Sequence, residues 1–337
     1  MKSFRRIVKA VVIFVLFAVT VVLLIFAERS GGDLVWDSSD DSSVLMNYSK
    51  GINISSADFE YDGRHYRYND HLSNYLFMGI DKRQLTDTEK GQADAGQSDA
   101  IFVLSMDRLS GETTMISIPR DTMTYITGFT AETQRPALLY DHLSVQFGYG
   151  DGKHESCNLS REAVSDLLYS LPIQGYCAIA LDALEVLADE MDGIMVEVPD
   201  DSLYFTDDSF EPGTTVSLNS SNIETFLRVR DINTGNSALY RLGRQKVFLK
   251  SFLEQVRSGY GNDPEMVSRM YEELRPHMVT NMGNDQFLKL MQGVNANNEV
   301  EEWTLPGEGV QTETYDEYHV NEDELLKKLL DTVCVEK

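Results

Sequence analysis

Guanidinium groups are grouped along this chain in a way that suggests anion chemistry. Arg228 and Arg230 are followed by Arg241 and Arg244, four within 17 residues. Arg120 stands in Ile118-Pro119-Arg120-Asp121, just past a predicted strand end, where α/β sheets commonly hold ligands. The planar fork of arginine grips phosphate oxygens through paired bonds, whereas lysine offers a point charge. Cations this close together repel one another unless anions lie among them. Either a multiply charged ligand or surface ion pairs with the plentiful Asp and Glu would meet that need. Asp81 closes one predicted strand and Asp99 opens the next, so the two carboxylates can face each other across a sheet edge. Such a pair, completed by phosphate and water, suits Mg²⁺, and the capping of turns is its alternative use. The usual nucleophile signatures are absent. The sequence has no Gly-x-Ser-x-Gly, no Walker loop, no His-Glu-x-x-His and no cysteine with an evident histidine partner.

The elements that must carry these residues follow from apolar patterning. Short apolar runs at 75–80, 100–106 and 113–118 read as strands, the last two joined by a hairpin turn over 107–112. Residues 160–171 have helical spacing and stop before Pro172. Asp182-x-x-Glu185 resembles a capping box for a helix that closes at Gly193. Ile194 to Val198 reads as a strand cut by Pro199. The longest helical pattern spans 237–258, with Leu242, Leu249, Leu253 and Val256 as its apolar stripe and Gly259 as its C-cap. On that helix Arg241 and Gln245 are four residues apart and share a face, with Arg244 beside them. Residues 300–305 and 322–333 supply the last elements. The predicted class is α/β, a single domain over 73–335 whose central mixed sheet is covered by helices on both faces.

The chain has 337 residues, 42% hydrophobic and 25% charged, which is ordinary globular composition. Its 54 acidic against 29 basic residues give a net charge of -25. A surface that negative repels nucleic acid, whose binding rests on phosphate neutralisation, so no nucleic-acid partner is expected. Four of the basic residues (Lys2, Arg5, Arg6 and Lys9) precede an uncharged run from Ala10 to Ala27. With Ile7 and Val8 the run reaches the length a bilayer core needs, and its basic flank orients the N-terminus inward. The expectation is a cytoplasmic N-terminus over 1–9, a transmembrane helix over 10–27, an extracytoplasmic stalk over 28–72, and the domain outside the cell membrane. A cleaved signal peptide fits less well, because the apolar run is long and no clear cleavage site follows it. Cys157, Cys177 and Cys334 are too few for a disulfide framework, and with no Cys-x-x-Cys and scattered histidines a zinc site is not expected.

Several motifs together resemble those of the LytR-CpsA-Psr family, in the family's order. They are Asn74 to Asp81, Ser98-Asp99-Ala100-Ile101, Ser117 to Thr122, Leu227-Arg228-Val229-Arg230 and Arg241-Leu242-Gly243-Arg244-Gln245, with Met191 to Pro199 and Leu218-Asn219 as lesser matches. The resemblance covers about 73–260, with a looser tail to about 335. It implies the family's αβα arrangement and a Mg²⁺-dependent phosphotransferase, with Mn²⁺ as the alternative ion. The implied reaction moves an anionic glycopolymer, of wall teichoic acid or capsular polysaccharide type, from a polyprenyl-pyrophosphate carrier to peptidoglycan in a Gram-positive wall. By the same resemblance Asp81 and Asp99 hold the metal. Arg120, Arg228, Arg230, Arg241, Arg244 and Gln245 grip the pyrophosphate, with Arg83 as a further contact, and the lipid tail lies in an apolar cleft. Arg120, Asp121, Arg228 and Arg230 are the implied catalytic set, Asp121 as base or as the group that orients Arg120.

Three departures stand out. Gln97 replaces a frequent arginine, so one phosphate contact is either lost or supplied by Arg83. Tyr140-Asp141-His142-Leu143 replaces a family segment, and Tyr240 replaces a small residue. The competing functions are a non-catalytic envelope regulator that holds polyprenyl phosphate, and a polyprenyl pyrophosphatase that uses water as acceptor.

Overall fold

Alternation of apolar residues along three neighbouring segments builds a sheet with two buried faces. In a computed structural model, residues 52–56, 58–130, 135–231, 237–260, 263, 265–286, 300–312 and 315–337 are described. Strands β1 (Phe59–Tyr61) and β2 (Arg64–Tyr68) precede β3 (Leu72–Ile80), β4 (Ser98–Asp107) and β5 (Thr113–Ile118). A hairpin of β6 (Met123–Phe129) and β7 (Pro136–His142) leads through a 3₁₀ turn, Leu143–Tyr149, to helix α1 (His154–Leu167). Next come β8 (Gly175–Ile179), α2 (Asp182–Glu190), β9 (Ile194–Glu197) and β10 (Thr215–Leu218), then α3 (Ile223–Arg228), α4 (Ser237–Tyr260) and α5 (Met266–Leu274). Finally β11 (Met278–Thr280), β12 (Glu301–Thr304), β13 (Gly307–Gln311) and β14 (Asp316–Val320) precede α6 (Glu322–Val333) and β15 (Cys334–Glu336).

The central sheet has the order β11-β8-β3-β4-β5-β12. It is mixed: β3 is parallel to β8 and β5 to β12, and the other neighbours are antiparallel. Because successive side chains point to opposite faces, each strand feeds two cores. Leu76, Met78, Ile80, Ile101, Val103, Ile116 and Ile118 pack with Val164 and Leu167 of α1 and with Leu325, Leu329 and Val333 of α6. Phe77, Phe102, Leu104 and Met115 turn the other way, toward Leu242 and Leu249 of α4. Beyond them, the rest of α4 joins α2, α3 and α5 in a second cluster around Leu184, Phe226, Phe252 and Met270.

The expected stalk needs correcting within the described residues. Ile54 is fully buried and its N–H donates to the Tyr169 carbonyl at 3.0 Å. β1 and β2 form a three-stranded sheet with β15 at the C-terminus of the chain. The aromatic residues that interrupt the polar composition, Phe59, Tyr61, Tyr66 and Tyr68, pack against the first core, and this burial holds the segment in the domain. The expected membrane span at 10–27 lies outside the described residues. Among those described, no helix is long and apolar enough to cross a membrane.

Two expected helix ends also differ. The Asp182 carboxylate does not cap α2, whose N-cap is Leu181. Instead Asp182 lies 3.6 Å from Arg83, and the Leu181 N–H donates to the Lys82 carbonyl. Gly259 lies inside α4, which continues to Tyr260. Gly193, at φ +91°, does end the turn after α2, its N–H bonded to the Ala188 carbonyl. All three cysteines are free thiols, and burial pushes those of Cys177 and Cys334 up to about 12.

Candidate active site

Strand ends converge where β3, β5 and β8 finish and β4 begins. There Asp99, the second residue of β4, is the hub. Its Oδ1 accepts from Arg120 Nη1, and its Oδ2 accepts from Arg241 Nη1 at 3.3 Å. Arg120 follows Pro119 off the end of β5, and its other two nitrogens are bonded as well, leaving one N–H on each Nη for a ligand. Nε donates to Asp121 Oδ1 at 3.1 Å and Nη2 to Gln97 Oε1 at 2.5 Å. Gln97 therefore does not leave a gap where an arginine was expected, because it orients Arg120. Its own N–H donates to Asp81 Oδ1 at 2.7 Å, so Gln97 and Arg120 together link the two acids of the sequence pattern.

The loop from Asp81 to Gln97 closes tightly at Gly96, whose φ is +102°. A Cβ there would sit 2.7 Å from Lys82 Cγ and 2.8 Å from Asp81 Oδ1. Gly96→Ala is expected to destabilise the protein by ~1–3 kcal/mol and to displace Asp81, which thermal unfolding would register as a lowered Tm.

Arg241 carries more positive character than its surroundings use. It is 5% exposed, and its Nη2 is buried with no partner among the described residues. Burial pushes its pKa down; Asp99 pulls it back, and the neighbouring Arg120 and Arg230 lower it again. An unpaired buried donor on a cation is costly, and an incoming anion would satisfy it. Arg228 shows the same feature at Nε, while its Nη1 donates to Glu224. Arg230 lies 3.8 Å from Asp316.

Three further expected ligand-binding residues have protein partners of their own, and of these Gln245 stays beside Asp99. Arg244 is fully buried and points away from Asp99. It donates to the Phe226 carbonyl at 2.7 Å, to the Val229 carbonyl and to Ser202 Oγ, so it fixes the end of α3. Burial pushes its guanidinium down to about 10, with Asp200 opposing and Arg241 adding to the shift. Arg83 is largely exposed and lies among acids, with Glu224 at 2.5 Å, Asp182 at 3.6 Å and Glu185 at 3.7 Å. Gln245 Nε2 donates to the Leu227 carbonyl at 3.3 Å and approaches the Asp99 carbonyl at 3.5 Å, tying α3 to the hub.

Two cavities meet at the Asp99–Arg120 pair. One is an apolar slot between the sheet and helices α2, α4 and α5. Phe77, Phe102, Leu184, Phe248 and Phe252 are among its walls, and Asp99, Arg228 and Gln245 lie at one end. It exists because Gly79 and Ala100, opposed on β3 and β4, are too small to fill the space beneath α4. The other is a polar chamber of about 510 Å³ walled by Arg120, Asp121, Asp141, His142, Arg230, Tyr315 and Asp316. No local sequence signal marks this chamber's distal wall. Tyr315 and Asp316 arrive because β12 adds beside β5 and brings the β13–β14 hairpin over Arg120, with the Tyr318 N–H bonded to the Asp121 carbonyl at 2.8 Å.

The model of the LytR_cpsA_psr family matches residues 41–332. A polyisoprenyl-teichoic acid–peptidoglycan teichoic acid transferase, TagV of Bacillus subtilis, is 27% identical over 64% of this chain, and the chain spans 51% of that relative. The Enterococcus faecalis protein of the same description, TagU, is 22% identical over 93% of both chains. Among solved structures, B. subtilis TagV superposes with a TM-score of 0.59 at 20% identity, covering 78% of this chain and 97% of that one. A Streptococcus agalactiae protein superposes at 0.60 and 19% identity, covering 79% and 92%. These likenesses establish the shared mixed-sheet fold.

Proposed function

Because the chain belongs to the LytR-CpsA-Psr family, we propose that it transfers an anionic glycopolymer from a polyprenyl-pyrophosphate carrier to peptidoglycan. The observation that carries the reading is the buried, partly unpartnered Arg241 beside Asp99 and Arg120, where an apolar slot meets a polar chamber. A lipid-linked diphosphate fits the junction: its polyprenyl tail matches the slot and its diphosphate the guanidinium groups of Arg120, Arg228, Arg230 and Arg241. The membrane anchor at 10–27 and the extracytoplasmic domain belong to the same proposal, since a polyprenyl carrier stays in the bilayer. Teichoic acid, named for the relatives, is the favoured polymer, and a capsular polysaccharide is the other anionic candidate.

Chemistry at such a centre needs no enzyme nucleophile. A peptidoglycan hydroxyl oxygen forms a bond to the saccharide-side phosphorus, and the bond from that phosphorus to the bridging oxygen breaks. The electron pair and charge leave with the polyprenyl monophosphate. Arg120 and Arg241 stabilise that growing charge. Asp121, held by Arg120 Nε, lies on the chamber side, where it can accept the hydroxyl proton.

For Mg²⁺, Asp81 and Asp99 provide two carboxylates, and no group of three metal-binding side chains occurs among the described residues. Two carboxylates fit an ion that takes its other ligands from phosphate and water. Bound there, it would add neutralising charge at the diphosphate. In the structure Asp99 is instead neutralised by Arg120 and Arg241, so the arginines and the ion share one acid.

Transfer of a polyprenyl-diphosphate-linked glycan to peptidoglycan by the purified protein, with Mg²⁺ and after its chelation, tests the proposal. Lipid retained without turnover would indicate a binding role instead, and glycan phosphate released to water a pyrophosphatase. Filling the slot gives a second test. Ala100→Phe puts a ring where the tail is proposed to lie, and is expected to weaken binding of a polyprenyl-diphosphate analogue at least tenfold, or about 1.4 kcal/mol. Titration calorimetry would measure it, and unchanged affinity would remove the slot from the lipid path.

A further inference from the structure

The polar chamber has a chemical character different from that of the diphosphate centre it adjoins. Three carboxylates face it, Asp121, Asp141 and Asp316, against the two guanidinium groups of Arg120 and Arg230. That balance repels a polyanionic chain. It suits a ligand rich in hydroxyl and amide groups, which can both donate to carboxylates and accept from arginine.

One wall is built for a flat, weakly polar face. The Tyr315 ring is 66% exposed. It meets the His142 ring edge-on, with centroids 5.9 Å apart and planes at 70°. His142 is itself clamped, Nδ1 at 2.9 Å from Asp141 Oδ1 and Nε2 at 2.9 Å from the Asp316 carbonyl oxygen. A second aromatic pair continues outward along the same hairpin. Tyr140, two residues before His142 on β7 and 54% exposed, packs edge-on with Tyr125 at 5.2 Å. Exposed rings at the chamber wall and on the adjoining hairpin provide stacking faces for sugar rings.

Position decides which saccharide this is. In phosphoryl transfer the nucleophile and leaving group lie roughly in line. With the leaving polyprenyl phosphate on the side of the apolar slot, the attacking hydroxyl enters from the opposite side of Asp99–Arg120, through the chamber and past Asp121. We infer that the chamber and the exposed Tyr315 and Tyr140 rings bind the acceptor, an uncharged N-acetylhexosamine strand, and present one of its hydroxyls to Asp121. This rests on the transfer reading above, which supplies the direction of attack.

Saccharide binding in the absence of donor tests the site independently of that reading. The full chain is titrated with a β-1,4-linked N-acetylglucosamine hexasaccharide, with poly(glycerol phosphate) as competitor. Saturable binding is expected, weakened about three- to tenfold in Tyr315→Ala and in Tyr140→Ala, with little competition from the polyanion. Both tyrosines are exposed, and unchanged melting curves would show that each variant folds. The inference is overturned if the native chain does not bind the hexasaccharide. It is equally overturned if neither substitution alters binding, or if poly(glycerol phosphate) displaces the sugar. Saccharide binding together with failure to transfer a lipid-linked glycan would count against the transferase reading and leave the saccharide site standing.

Discussion

Replacing Arg241 by methionine is expected to lower kcat/KM for glycopolymer transfer by about a hundred- to a thousandfold. Arg241 is the most buried cation of the Asp99 centre, and it is the one with an Nη2 left without a partner. A charge-assisted bond to phosphate contributes ~1.5–3 kcal/mol. A preorganised donor aimed at developing charge in a dry site is worth about a hundred- to a thousandfold in kcat. Methionine keeps much of the side-chain volume, and Asp99 retains its bond to Arg120, so the fold should survive. Steady-state transfer kinetics on a variant with a near-native melting curve would measure the loss. A loss below tenfold would mean that Arg241 serves only to hold Asp99.

Arg244→Met should instead act on stability, by ~3–5 kcal/mol. Its guanidinium satisfies the Phe226 and Val229 carbonyls and Ser202 Oγ in a site with no solvent exposure. Removing it leaves those acceptors buried without a donor and frees the turn that carries Arg228 and Arg230. Denaturant unfolding of the variant is the measurement. A stability change below about 1 kcal/mol would show that the three bonds are not the reason this arginine is buried. The contrast between Arg241 and Arg244, three residues apart on one helix, is the sharpest consequence of the geometry.

That contrast also shows where sequence reasoning stops. Arg241 and Arg244 were grouped because residues three apart lie near each other on a helix, yet their directions still differ by about 60°. That angle is enough for one to reach Asp99 and the other the end of α3. Strands β3, β4 and β5 were legible because each is a short apolar run bounded by turn residues. The Asp99, Arg120 and Arg241 grouping was legible because all three sit at element ends within recognisable motifs. Residues 52–72 were misread because Ser, Asp and Asn dominate their composition, and the aromatic positions that anchor them find partners near the other end of the chain, at β15. Tyr315 and Asp316 gave no local signal. Their place in the chamber depends on β12 pairing with β5 across almost two hundred residues, a contact that no spacing rule encodes. Arg83 is expected among the phosphate ligands as a stand-in for the arginine that Gln97 replaces, and the acids Glu224, Asp182 and Glu185 pair with it instead.

Central to the proposed reaction is a diphosphate at the Asp99–Arg120–Arg241 centre with an isoprenoid in the adjoining slot. Phosphorus NMR of geranylgeranyl diphosphate titrated with the full chain tests this most directly. Both phosphorus resonances should shift and broaden with the native protein, and geranylgeraniol should fail to compete for the phosphate contacts. Both shifts should be lost in Arg241→Met. Resonances that move equally with native and variant protein, or that do not move at all, would place the anion elsewhere and contradict the assignment of this cleft.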